Sequence, residues 1–218
     1  MRKTLTHSEA GRVHELLNTG GGAAVVSAWA AALLAEIADG TRLAAAVQHP
    51  LGFLCIRVYR SPQWGLCLHI WPAASSTAEL IHSHTWDLTS HVLCGQMENR
   101  CFSVVDNPAA PTHRIVEITR HGTWDLIRPT GRLVSESCDS TAGFGTGTVY
   151  RLPAGAYHTS RARGLTATVL LADNRPRTPE LVLGPLDARA HSVRRRSAEA
   201  GAVRRSAAAA GRAIRNAL

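Results

Sequence analysis

Hydrophobic and polar positions alternate along the middle of the chain. Leu54, Ile56 and Val58 are interleaved with Cys55, Arg57 and Tyr59, and Leu66, Leu68 and Ile70 with Cys67, His69 and Trp71. A period of two sends successive side chains to opposite faces of a strand. The same reading predicts strands over 79–84, 89–94, 97–105, 113–119, 123–128, 131–138, 147–152 and 166–172. Turn formers at Asn107-Pro108, His121-Gly122, Pro129-Thr130-Gly131 and Pro153-Ala154-Gly155 separate several of them. Many short strands at this spacing predict an all-β sandwich or barrel. Before residue 50 the period changes. Ser8 as N-cap with Val13, Leu16 and Leu17 predicts a helix over 8–18. Val25, Trp29, Leu33 and Ile37, at steps of four, predict a second over 23–38, closed by Asp39-Gly40. Thr41 is placed to cap a short third helix ending before His49-Pro50. Past Leu186 the chain turns to Arg, Ala and Ser, with only Val203, Ile214 and Leu218 as a thin apolar stripe. The expected organisation is a helical extension (1–50), a β-barrel (51–186) and a basic helix or tail (187–218).

Charge sharpens that division. The net charge is +8. Residues 187–218 carry eight arginines against Asp187 and Glu199, a net of +6, which leaves +2 for the body. The body therefore lacks a nucleic-acid footprint, while the tail reads as a solvated arm that could meet an acidic partner or nucleic acid. Lys3 is the sole lysine beside 23 arginines. With no internal lysine, Schiff-base chemistry and phosphate loops of the Gly-Lys-Ser type are excluded. Five cysteines, at 55, 67, 94, 101 and 138, make no Cys-x-x-Cys pair. They read as reduced, buried, small hydrophobes, reactive only where one lines the barrel. No run is long enough to span a bilayer, and Met1–His7 lacks the apolar core of a signal peptide. A soluble cytoplasmic protein is the expectation.

Chemistry concentrates in two segments. Ile81-His82-Ser83-His84-Thr85-Trp86-Asp87-Leu88 places two imidazoles at i and i+2, on one face of a strand. Gly147-Thr148-Val149-Tyr150-Arg151-Leu152-Pro153-Ala154-Gly155-Ala156-Tyr157-His158 brings a third past a Pro-x-Gly turn. Three neutral imidazoles around one point suit a divalent transition metal with open positions. Asp87 reads as a turn residue able to orient a ligand ring, and His91 as facing outward or a neighbouring sheet.

His-x-His with Gly95 eleven residues after His84, and Gly-x5-Pro-x-Gly-x2-His over 147–158, resemble the two cupin motifs. The resemblance covers about residues 53–175. It implies a single-domain cupin, a jelly-roll barrel of antiparallel strands with a metal inside. In cupins two His and a Glu of the first motif and one His of the second usually hold that metal. Counted back from Gly95, the glutamate slot falls on Leu88, so Leu88 is expected to face the metal without binding it. Three His without the carboxylate are similar to the thiol dioxygenase branch, which implies Fe(II) and oxygen chemistry. The Ser-His-Tyr set of that branch is not visible after His158.

The metal ligands read from the sequence are thus His82, His84 and His158, with Fe(II) favoured and Zn, Mn or Ni as alternatives. His69 and Tyr150 are the catalytic candidates. Arg57, Trp86 and Tyr157 are the substrate-binding candidates, Arg57 for a carboxylate. The expected function is a metal-dependent dioxygenase or oxygenase acting on a small polar metabolite. A non-redox isomerase, lyase or hydrolase, or a small-molecule-binding barrel, stay open beside it. A homodimer is an open option, and no membrane partner is expected.

Overall fold

The computed structural model describes residues 5–73, 79–173 and 179–218. Met1–Thr4, with Lys3, lie outside the described residues. Strands run β1 (Ala45–Gln48), β2 (Leu54–Arg60), β3 (Gly65–Trp71), β4 (His82–Ser83), β5 (Asp87–Asp106), β6 (His113–His121), β7 (Trp124–Gly145), β8 (Val149–Leu152), β9 (Tyr157–Asp173), β10 (Glu180–Gly184) and β11 (His191–Arg194). Helices α1 (His7–Thr19) and α2 (Ala23–Asp39) precede them, and α3 (Ala200–Arg215) follows.

Among the described residues the strand pairings are antiparallel, and they close a barrel. β9 meets β4, β4 meets β10, and the circuit continues through β6, β7 and β5 back to β9. β5 and β9 pair along most of their length. Their other partners change midway: the first half of β5 pairs with β8, the second with β7. The change falls at Gly95, where the β5–β9 register shifts. Gly95 has φ of 81°. A Cβ there would lie 2.4 Å from Thr166 Oγ1 and 2.5 Å from the Leu165 carbonyl. Only glycine lets the two backbones approach so closely at this bulge.

The alternation of β2 and β3 decides what each face touches. Leu54, Ile56, Val58, Leu66, Leu68 and Ile70 pack outward into one apolar core with α1, α2 and α3. Cys55, Arg57, Cys67, His69 and Trp71 turn inward and line a cavity. The helices thus cover one sheet from outside and leave its inner face free for chemistry.

Several expectations change. α1 is capped by Thr6, not Ser8: the Thr6 hydroxyl accepts from the Glu9 amide, and the Glu9 carboxylate accepts from the Thr6 amide. That reciprocal capping box outcompetes a lone serine. The third helix is instead β1, paired with β2 from Ala45↔Arg57 to Gln48↔Leu54. A short alanine-rich stretch has weak intrinsic helicity, and a free strand edge captures it. Predicted strands 89–94 and 97–105 are one strand, as are 123–128 and 131–138. β10 and β11 carry no strong sequence signal.

The basic tail is not a free arm. β11 pairs with β7, and α3 packs on α2. Val203, Ala207, Ala210 and Ile214 are buried, while Leu218 is exposed. A Cβ on Gly211 would sit 3.5 Å from the Leu34 Cβ. Small residues let the two helices approach closely.

His91 stands on the opposite parity from the cavity-lining Leu88 and Ser90, but it does not reach solvent. It is fully buried, and neither ring nitrogen has a hydrogen-bond partner. An orphaned buried polar group costs about 1–3 kcal/mol. His91→Leu is therefore expected to raise the melting temperature by several degrees. Burial also holds the folded-state pKa of His91 below its ordinary 6.5. The unfolded chain then binds more protons, so stability falls as pH drops below about 6.5. His91→Leu should flatten that part of the acid profile. Thermal melts at neutral and mildly acidic pH check both, and an unchanged or lower melting temperature at neutral pH contradicts the reading.

Candidate metal centre

The two histidine segments meet inside the barrel. His82 on β4 lies opposite His158 on β9 in the strand register. Ring centroids are 4.4 Å apart for His82 and His158, 4.9 Å for His82 and His84, and 5.4 Å for His84 and His158. One ring nitrogen from each falls within 4.8 Å of the others. The turn of the second segment is bound to the first. The Gly155 amide donates to the His84 carbonyl at 2.7 Å, and the Ala154 amide to Asp87 Oδ1 at 3.0 Å. Gly155, at φ of 81°, supplies the left-handed residue this turn needs. Asp87 thus clamps the turn that positions His158.

Electrostatics leaves all three rings neutral. Burial lowers the pKa of His82, and burial followed by the nearby His82 ring lowers that of His84 well below its usual value. The same two causes bring His158 to about 4. His82 Nδ1 is 2.8 Å from the Leu80 carbonyl and His158 Nδ1 3.0 Å from the Ala156 carbonyl. A carbonyl only accepts, so each Nδ1 carries the proton and each Nε2 keeps its lone pair. His84 Nδ1 is buried without a hydrogen-bond partner. An orphaned imidazole nitrogen beside two oriented imidazoles fits a divalent cation, as does the all-nitrogen donor set.

The rings stand in a cavity of about 140 Å³, of the order that admits a benzene-sized ligand. Its walls include Phe53, Trp71, Trp86, Leu88 and Leu170. Trp86 stacks on His84 with centroids 4.1 Å apart. Arg57 is exposed, also lines the cavity, and pairs with no carboxylate of the described residues. His69 lines it, with its ring centroid 4.4 Å from that of Phe53. Tyr150 lies deep in the wall beside Ser90 and Asn99, its pKa raised by burial.

Tyr157 is a correction. It packs beside Ile115, Val134 and Leu183 rather than lining the cavity. It neighbours His158 on a strand, so the pleat that turns His158 inward turns Tyr157 away. Sequence reading also missed His49, Arg120, Glu180 and Arg195, which all line the cavity. His49 Nδ1 accepts from the Leu51 amide at 3.3 Å, which leaves its other nitrogen as the donor. Burial, then the nearby His69, pushes its pKa down to about 2. Arg195 makes two hydrogen bonds to the Asp125 carboxylate, at 2.7 and 2.9 Å. His49 stands at the element boundary before Pro50, and all four lie outside both motifs.

Leu88 is buried and lines the cavity, as its position before Gly95 implied. Leu88→Glu is expected to tighten divalent-metal binding by about tenfold, because a carboxylate adds charge and a donor atom. Without metal the buried charge should cost roughly 2 kcal/mol or more. Metal titration of the folded variant checks this, and unaltered affinity would place Leu88 out of reach of the imidazoles.

No protein-family model matches the chain, and no curated protein sequence matches it. Among solved structures the chain is similar to a conserved protein of unknown function from Streptococcus pyogenes. Identity is 14% over 59% of this chain and 78% of that one, with a TM-score of 0.35. It is similar to a cupin superfamily protein from Desulfitobacterium hafniense at 12% identity, over 56% and 76% of the two chains, TM-score 0.34. A third likeness is to hydroxypropylphosphonic acid epoxidase from S. wedmorenis, at 10% identity over 60% and 55%, TM-score 0.37. At these identities and scores the likenesses carry no weight in assigning an activity.

Proposed function

We propose that the barrel is a metal-dependent oxygenase of the cupin type, with Fe(II) held by His82, His84 and His158 and a small anionic metabolite as substrate. The observation that carries this is the meeting of three neutral imidazoles inside a small cavity walled by aromatic and aliphatic side chains. Three protein ligands leave coordination positions open, and a redox-active ion there supplies Lewis acidity and electrons for oxygen chemistry.

The chain's own residues supply the rest. The Leu80 and Ala156 carbonyls hold two of the rings in one tautomer and orientation. Phe53, Trp71, Trp86, Leu88 and Leu170 exclude water and strengthen every charge interaction inside. Arg57 offers a planar guanidinium to a carboxylate or similar anion. Arg195 and Arg120 are partly neutralised by Asp125, at 2.7 Å and 3.6 Å, which makes Arg57 the cation best placed for a substrate anion. His69 and Tyr150 are the groups able to carry a proton within the cavity.

The test is elemental analysis of anaerobically purified full-length protein, then oxygen uptake with thiols and amino acids as candidate substrates. Iron and substrate-dependent oxygen consumption are expected. Arg57→Ala should raise KM with kcat largely retained, the signature of lost ground-state binding. Iron-loaded protein that consumes no oxygen with any of these candidate substrates would move the function to non-redox chemistry.

A further inference from the structure

We propose a second metal site in the same cavity, formed by Cys55, Cys67 and His69 and selective for a thiophilic ion, zinc(II) above all. It uses none of the three-His ligands and does not depend on that centre.

The strand register builds it. On the β2–β3 pair, Cys55 lies directly opposite His69, and Cys67 directly opposite Arg57. Cys67 and His69 stand at i and i+2 on β3, and Cys55 two residues before Arg57 on β2. All three therefore share one face, and all line the cavity. Their sulfur and nitrogen atoms lie within 4.8 Å of one another. Donors at ordinary zinc–sulfur and zinc–nitrogen distances are about 3.5–3.8 Å apart in a tetrahedron, which small χ1 adjustments reach.

The surroundings support a ligand there. Thr168 on β9 lies opposite His69 in the register and lines the cavity. Its hydroxyl is buried with no hydrogen-bond partner, a donor available to a thiolate sulfur or to a group on the ion. Phe53 and Trp71 flank His69 at 4.4 and 5.6 Å between centroids, a wall that restrains the ring. In the absence of metal the Cys55 thiol stays protonated, because its hydrogen bond with Cys67 and its burial push the pKa up.

Two thiolates and one imidazole are a softer set than three imidazoles, so the two centres should sort different metals. Three legs leave the fourth tetrahedral position for water or a substrate group, the pattern of an open rather than a closed zinc site. Binding replaces both thiol protons, and the two negative sulfurs neutralise the dication. His69 is then a ligand, and Tyr150 is left to carry a proton within the cavity.

The experiment adds Co(II), a spectroscopic substitute for zinc, to the reduced full-length protein under anaerobic conditions. Wild type should bind two equivalents and show an intense near-ultraviolet thiolate-to-cobalt charge-transfer band. Zinc should abolish the band, with two protons released per ion at this site. The double variant Cys55→Ser/Cys67→Ser should lose the band and one equivalent. His158→Ala should keep the band and lose the other equivalent, so failure of either site is read separately. If the double variant loses its β-sheet circular dichroism, His69→Ala keeps both thiols and must still weaken the band-forming site by about tenfold or more. No band in reduced wild type, or a band that survives in the folded double variant, overturns the proposal.

Discussion

His82→Ala, His84→Ala and His158→Ala are each expected to weaken Fe(II) binding at the three-imidazole centre by more than about a hundredfold. Loss of a residue that merely orients a ligand already costs about ten- to a hundredfold. Here a donor itself is removed, and Leu88 occupies the place where a carboxylate could compensate. The fold should survive. None of the three rings belongs to the apolar cores that hold the sheets and helices together. Their partners are the Leu80 and Ala156 carbonyls, each two residues away, Trp86, which stacks on His84, and one another. Removing a ring also relieves the crowding of buried imidazoles that burial keeps uncharged. Competition titration with a chromophoric chelator measures the affinity, and circular dichroism monitors the fold. Full Fe(II) affinity in two of the three variants would remove the centre from consideration.

Ending the chain at Leu186 is expected to destabilise the protein by roughly 5 kcal/mol or more, enough to unfold a domain of ordinary stability. The composition of 187–218 suggested the opposite, a dispensable basic arm. Val203 and Ile214 are buried against the helical layer, and burial of each contributes about 1.5–3 kcal/mol. Their loss would expose the faces of α2 that meet α3. The cut also removes Arg195 from Asp125, where both side chains are largely shielded, at 14% and 10% exposure. Breaking a buried pair costs about 3–5 kcal/mol because one charge remains. Arg120, 3.6 Å from Asp125, softens that loss. Arg195 also lines the cavity, so the truncation should open its mouth. Thermal melting of the shortened and full chains checks the prediction. A melting temperature within a few degrees of the full chain would restore the reading of a free arm.

Much of this molecule is legible from local pattern. Alternation from Leu54 to Trp71 settles which residues share a face, because the pleat leaves no freedom. His82 and His84 point together for the same reason. Gly95 marks a close approach of two strands and Gly155 a left-handed turn residue that most side chains disfavour, and the resemblance built on them located His158. Parity cannot say which of two faces is the inside. That is decided by the helical layer, which claims Leu66, Leu68 and Ile70 and leaves Cys67, His69 and Trp71 to the cavity. Tyr157 was misplaced by proximity in sequence to His158, where a single pleat step separates cavity from core. His49, Arg120, Glu180 and Arg195 reach the cavity from four different segments, and no spacing rule connects residues that only barrel closure brings together. The tail was misread because alanine and glycine look featureless on a hydrophobicity scale. Ala207, Ala210 and Gly211 are buried because α2 offers a surface close enough to need small residues. The partner, not the stripe, makes that helix part of the fold.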